Sequence, residues 1–260
     1  MLEAWIGSQA AGFALVLARI AGFVVVSPFP GANVSSTQRV GLVAVLAWVT
    51  SSFAPLAHAP HQLGFELALA TGVELGCGLV VGAAFRFLAL AADFLGQVLS
   101  HAIGLSMASV LNPLQGAEDA VVSRIVTLLA MLLAVGAGVH RSALAYLLRS
   151  FRLLPVGAHA SLHGSSLPLI DLAIRSMTVG LELAMPVVAV NLVVHIALAM
   201  MARAAPALQI LHVGLSIVLA TGFITLITTL PAVGHGLLSH YASLERVLDT
   251  AFVAMSEPRP

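Results

Sequence analysis

The stretch GQVLSHAIGLSMASVLNPLQGAEDAVV, Gly96 to Val122, decides how the rest of the chain is read. It opens as an uncharged, lipid-compatible segment with small residues every fourth position: Gly96, Ser100, Gly104 and Ala108. That spacing predicts a helix to about Leu111 that packs backbone-close against a neighbour. The segment then breaks at Asn112-Pro113 and passes into a polar turn, Gln115-Gly116-Ala117-Glu118-Asp119, before another apolar run begins. Irregular backbone at membrane depth survives only inside protein or beside a water-filled path. The pattern therefore points to conduction or gating rather than to a soluble active site.

Composition agrees with a lipid solvent. Of 260 residues, 60% are hydrophobic and 8% charged, and the mean hydropathy is +1.04. A soluble domain carries about a quarter charged residues, and a chain this size cannot hide so much apolar surface in one water-facing globule. There is no lysine and no basic tract, which argues against nucleic acid as a partner. The single cysteine, Cys77, excludes an intrachain disulfide and any multi-cysteine metal site. Met1-Leu2-Glu3-Ala4-Trp5 lacks the positive leader of a cleavable signal, so the first apolar run is expected to stay as a membrane element.

Outward from the quoted stretch, apolar runs of helix length recur. Trp5–Val26 closes at Ser27-Pro28-Phe29-Pro30-Gly31, Val40–Phe53 closes before Pro55, and Leu67–Ala92 precedes a separate run from Phe94. Ile125–Val139 is followed by an amphipathic piece ending at Leu154-Pro155-Val156-Gly157. A Ser, Gly and His-rich loop near 159–168 separates possible halves, 1–157 and 168–260, of a single membrane-embedded domain. Ile170–Met201 contains Pro186, which predicts a kink or break, and a run from Pro206 ends at Pro231. Beyond it Leu238, Tyr241, Leu244, Leu248, Ala251, Phe252 and Met255 recur at helical spacing, an amphipathic tail helix. The expectation is an all-α integral membrane protein of bent and broken helical hairpins, with roughly six apolar segments plus that tail.

Gly72, Gly76, Gly78 and Gly82 form two interleaved GxxxG pairs suited to tight helix contact. No strand precedes them and no Lys-Ser/Thr follows, so they make no nucleotide loop. Arg19, Glu74, Arg86, Glu182 and Arg203 interrupt lipid-like sequence, as does His195. A charge at bilayer centre costs about 2.5–3.5 kcal/mol on insertion scales, so these should pair between helices or subunits. The sharper alternative is a proton relay through Glu74, Glu182 and His195, as in a stand-alone secondary transporter. That reading is weakened by scattered, mixed-sign charges and by the lack of an internal repeat. His58 and His61, or His159 and His163, have no carboxylate or cysteine beside them to complete a metal site. No nucleophile elbow, zinc-protease motif or phosphate loop is present.

Several short signatures then fall in a fixed order. Ala18-Arg19-Ile20-Ala21-Gly22-Phe23 leads to Pro28; Gly96 and Gly104-Leu105-Ser106-x-Ala108 lead to Asn112-Pro113. His140 precedes Ser150-Phe151-Arg152-Leu153-Leu154-Pro155-Val156-Gly157, and Arg203-Ala204-Ala205-Pro206 stands late in the chain. With these, essentially the whole chain resembles the FliR family, the flagellar type III export-gate subunit. It resembles more distantly the counterpart in injectisome secretion systems. The resemblance implies a non-enzymatic subunit without cofactor or metal, in the bacterial inner membrane at the flagellar basal body. It implies co-assembly with FliP and FliQ homologues into a closed, helically arranged pore on which an FlhB homologue docks and through which unfolded flagellar proteins pass. Much of the helical mass would then stand above the membrane plane. It further implies that the loop Asn112, Pro113, Leu114, Gln115, Gly116, Ala117 and Glu118 enters the channel and helps close it. The chain departs from the family pattern at Asn112, at Ser100 and Ala102, at Ser35-Ser36, and at Leu215-Ser216.

Overall fold

The computed structural model describes residues 2–28, 34–53, 64–104, 121–158, 166–204 and 210–256. Among the described residues the chain forms seven helices and no strand: α1 (Leu2–Val26), α2 (Ser36–Ser51), α3 (Phe65–Ala102), α4 (Val121–Gly136), α5 (Val139–Leu153), α6 (Ser166–Ala204) and α7 (Ile210–Ser256). The all-helical expectation holds. The segmentation differs, because hydropathy breaks and helix breaks do not coincide.

Between Ala92 and Phe94 only Asp93 interrupts the apolar sequence, and neither proline nor glycine stands there to end the helix. α3 therefore runs unbroken for 38 residues, where two separate runs were expected. It stops at Ala102, well ahead of Leu111. α6 continues through Pro186 and α7 through Pro231. A proline removes one i→i−4 bond, and an apolar helix tolerates the loss when its surroundings satisfy the freed carbonyl. The hydroxyls of Thr221, Thr225 and Thr229 donate to carbonyls four residues back at 2.8 Å, and Thr228 donates to Thr225 at 2.9 Å. These threonine hydroxyls are thus satisfied within the helix itself.

Local sequence explains the remaining ends. Ser35 caps α2 in a reciprocal box: its hydroxyl accepts from the Gln38 N–H at 3.4 Å, and the Gln38 side chain accepts from the Ser35 N–H at 3.1 Å. Gly138, at φ 78°, takes the left-handed turn between α4 and α5. α5 buries Ala143, Tyr146, Leu147, Ser150 and Phe151, one stripe at i, i+3, i+4, i+7 and i+8.

The helices distribute over two compact units. The first holds Met1–Leu88, Gly138–Ala173 and Ser243–Pro260; the second holds Ala89–Ala137 and Ile174–Ala242. In the first, α1 lies against the N-terminal half of α3. The expected tail, buried through Leu244, Leu248, Ala251 and Phe252, is the continuation of α7. Asp249 takes the Tyr146 hydroxyl and lies 3.2 Å from the Arg149 guanidinium, fastening that tail to α5. In the second unit the C-terminal half of α3 packs with α4, α6 and α7 around Leu95, Leu99, Ile103, Val187 and Val218.

Among the described residues three helices are long and apolar enough to cross a membrane, α3, α6 and most of α7, or up to four spans if α4 and α5 together make one bent span. At 1.5 Å per residue, α3 is about 57 Å long, nearly twice the ~30 Å of a hydrocarbon core. Trp48 of α2 is 75% exposed and Phe53, just beyond its end, 82%, and α6 leaves Leu167, Ile174, Val193 and Met200 exposed. Faces of this kind require lipid or partner subunits.

Candidate functional site

The segment 112–118 lies outside the described residues, as does Ala108. The structure describes what holds its two flanks. In the second unit, a Cβ on Gly96 would stand 2.8 Å from the Ser123 Cα, so the missing side chain lets α3 and α4 meet backbone to backbone. One turn later the Ser100 hydroxyl accepts the Ser123 N–H at 3.2 Å, satisfying a donor that the first turn of α4 leaves open. The Thr127 hydroxyl donates to Asp93 at 3.1 Å. Two members of the small-residue row, Gly96 and Ser100, thus join the helices on either side of residues 105–120.

Gly104, placed by sequence inside the helix, instead lies just beyond its end at φ 84°, a conformation glycine adopts without strain. Its nearest side-chain neighbours are Leu215 and Val218 of α7. Three of the last four carbonyls of α3 have identified partners. Leu99 accepts from the Ile103 N–H at 2.9 Å, His101 from the Gly104 N–H at 3.1 Å, and Ala102 from the Asn191 carboxamide at 3.1 Å. Asn191 is 1% exposed, and its oxygen faces the Thr221 hydroxyl at 3.2 Å. Sequence reading missed Asn191 because it scanned apolar runs for formal charges and histidines. An uncharged amide inside Leu181–Met201 was a signal of the same kind, since a buried carboxamide must find partners.

Beside Asn191 an open cavity of about 580 Å³ is lined by Phe94, Gln97, His101, Leu192 and His195, among others. The His101 ring lies 2.8 Å from the Gln97 carbonyl, so its own helix satisfies one ring nitrogen. Among the described residues no group of three or more His, Cys, Asp or Glu could hold a metal ion.

The first unit holds the other constellation. Arg19 on α1 and Glu74 on α3 form a buried pair, Nε to Oε2 at 2.6 Å, with both side chains at most 2% exposed. The second Glu74 oxygen accepts the Gly157 N–H at 3.0 Å. Arg19 also donates to the Leu154 carbonyl at 2.9 Å and lies over the Phe151 ring at 4.4 Å. The pair thus joins α1, α3 and the Leu154–Gly157 turn, with each Glu74 oxygen accepting a hydrogen bond from within the chain. Gly78 and Gly82 make this possible. A side chain on Gly78 would collide with the Arg19 carbonyl, and one on Gly82 would come within 2.7 Å of the Phe23 carbonyl. Gly22 answers from α1, where a Cβ would strike the Leu75 carbonyl. Gly72 faces open space, and Gly76 is half-buried. Arg86, Glu182 and Arg203, expected to be buried, are exposed on this chain.

Comparison with known proteins follows the same lines. Residues 10–244 match the family model described as "Bacterial export proteins, family 1". Among similar proteins, "Flagellar biosynthetic protein FliR" of Pectobacterium carotovorum subsp. carotovorum is 27% identical over 218 residues, covering 83% of this chain and 82% of its own. The protein of that name from Bacillus subtilis is 26% identical over 226 residues, covering 85% and 86%. The one from Escherichia coli is 25% identical over 201 residues, covering 77% of each. With the family model spanning nearly the whole length, the chain belongs to the bacterial export proteins of family 1.

Proposed function

We propose that this chain is a membrane-embedded subunit of the flagellar protein export apparatus. With FliP and FliQ homologues it forms a closed pore for unfolded flagellar substrates, and an FlhB homologue docks on that pore in the bacterial inner membrane. Family membership and the FliR relatives support the export role. The observation that carries the mechanical reading is the locked hairpin of α3 and α4. Its two strands of backbone meet at Gly96, Ser100 and Ser123, so residues 105–120 leave from and return to a fixed base.

On this reading the work is steric. Residues Asn112 to Glu118 obstruct the lumen until a substrate or partner displaces them, and energy comes from outside the chain. The exposed apolar faces of α2 and α6, and the exposed Arg86, Glu182 and Arg203, are surfaces for lipid and for the partner subunits. Helices nearly twice the thickness of the hydrocarbon layer fit an assembly in which helical mass extends beyond the membrane plane.

Deleting Leu114 to Ala117 tests the reading in cells carrying the partner subunits. The expected result is normal co-purification with FliP and FliQ homologues and a membrane leaky to ions. Normal assembly with unchanged permeability would refute the obstruction.

A further inference from the structure

We propose that Asn191 is a positioning residue for the channel: its carboxamide clamps the final carbonyl of α3 and fixes the direction in which the backbone leaves Gly104. The inference rests on the reading of residues 112–118 as the obstruction; those residues begin eight positions beyond Gly104 in the sequence.

A helix end exposes carbonyls that its own turns cannot satisfy. Water fills that role in a soluble protein, but at membrane depth the partner must be protein. Ala102 finds one in the Asn191 amide, 89 positions away in sequence, at 3.1 Å. The orientation of that amide follows from its partners. Turned the other way, its oxygen would face the carbonyl oxygen of Ala102, and two acceptors would meet with no proton between them.

The surroundings are cut to fit this contact. On α7, a Cβ at Gly222 would stand 2.7 Å from the Ile103 side chain and 2.9 Å from the Asn191 amide nitrogen. Glycine there leaves the room in which both sit. Ile103 is fully buried, and Gly104 then turns the backbone through the left-handed region at φ 84°. α6 and α7 thus converge on the last turn of α3, and among the described residues it is the α6 amide that hydrogen-bonds its terminal carbonyl. Thr221 steadies Asn191 less firmly. Its single hydroxyl proton has three acceptors, the Ile217 carbonyl at 2.8 Å, the Val218 carbonyl at 3.2 Å and the Asn191 oxygen at 3.2 Å.

The test uses the whole chain co-expressed with its partner subunits and compares Asn191→Leu, Asn191→Gln, Thr221→Val and, as a control buried hydroxyl elsewhere in the same unit, Ser176→Ala. Two quantities are read: ion leak through the membrane, and amide hydrogen exchange at Ile103 and Gly104 in the purified complex. Asn191→Leu, branched like asparagine but bulkier and without a donor, should raise exchange at those two amides about tenfold, the scale of one lost hydrogen bond. It should also raise leak toward that of the Leu114–Ala117 deletion. Asn191→Gln, still a donor, should leak less; Thr221→Val should change both quantities slightly in the same direction; Ser176→Ala should change neither.

Equal leak from the leucine and glutamine variants, or an equal rise from Ser176→Ala, would assign the effect to packing alone and overturn the proposal. Wild-type exchange and leak in Asn191→Leu, while the deletion leaks, would also overturn it. If Asn191→Leu fails to assemble, wild-type exchange in Thr221→Val counts against the clamp and raised exchange counts for it. A deletion that does not leak sinks the obstruction itself, and the exchange data then judge the clamp separately.

Discussion

At the scale of single residues, two of the charges that looked expensive in sequence are paired and buried in the first unit. Arg19 and Glu74 meet at 2.6 Å, an Arg19 nitrogen reaches the Leu154 carbonyl, and a Glu74 oxygen reaches Gly157. Removing one member of such a pair leaves an uncompensated charge and costs about 3–5 kcal/mol, whereas replacing both by apolar groups is often close to neutral. Arg19→Met and Glu74→Leu singly should therefore each lower the yield of folded protein sharply, and the double variant should recover most of it. Thermal unfolding in detergent checks this; additive losses in the double variant would contradict the account. Sequence asked that such charges pair between helices or subunits, because charges in apolar sequence must find partners, but it did not name Arg19 as the partner of Glu74. Nor did it show that Arg86, Glu182 and Arg203 lie on the surface of this chain. Two of the positions that depart from the family pattern have visible side-chain roles: Ser35 caps α2, and Ser100 accepts from Ser123.

At the scale of elements, periodicity was readable and continuity was not. The stripe of α5 and the tail of α7 stand where the apolar spacing put them, because burial on one face enforces a 3.6-residue repeat. Asp93, Pro186 and Pro231 suggested ends where the helices run on, because a hydropathy dip or one missing N–H does not outweigh the backbone bonds on either side. The glycines of α3 give the sharpest element-scale test, since residues of one type in one helix do different things. Gly72 faces open space and Gly78 faces the Arg19 carbonyl. Gly72→Ala should be neutral or stabilise the chain by up to about 1 kcal/mol through helix propensity. Gly78→Ala should separate α1 from α3 and lower the melting temperature of the purified complex by several degrees. Equal behaviour of the two variants would refute the assigned packing.

At the scale of the whole molecule, sequence foresaw a lipid-facing, all-helical chain but not the way three long helices thread both compact units, a long-range arrangement that local periodicity does not encode. The account's central claim is that residues 112–118 stand in the path of exported protein. Cys77, the only native thiol, is buried at 1% exposure, so a cysteine placed by Gln115→Cys reports almost alone. The direct measurement is thiol cross-linking from that position in complexes holding a flagellar substrate arrested halfway through export. The account predicts a cross-link to the substrate that disappears when no substrate is engaged. Cross-linking only to lipid-soluble reagent, with none to the arrested substrate, would contradict it.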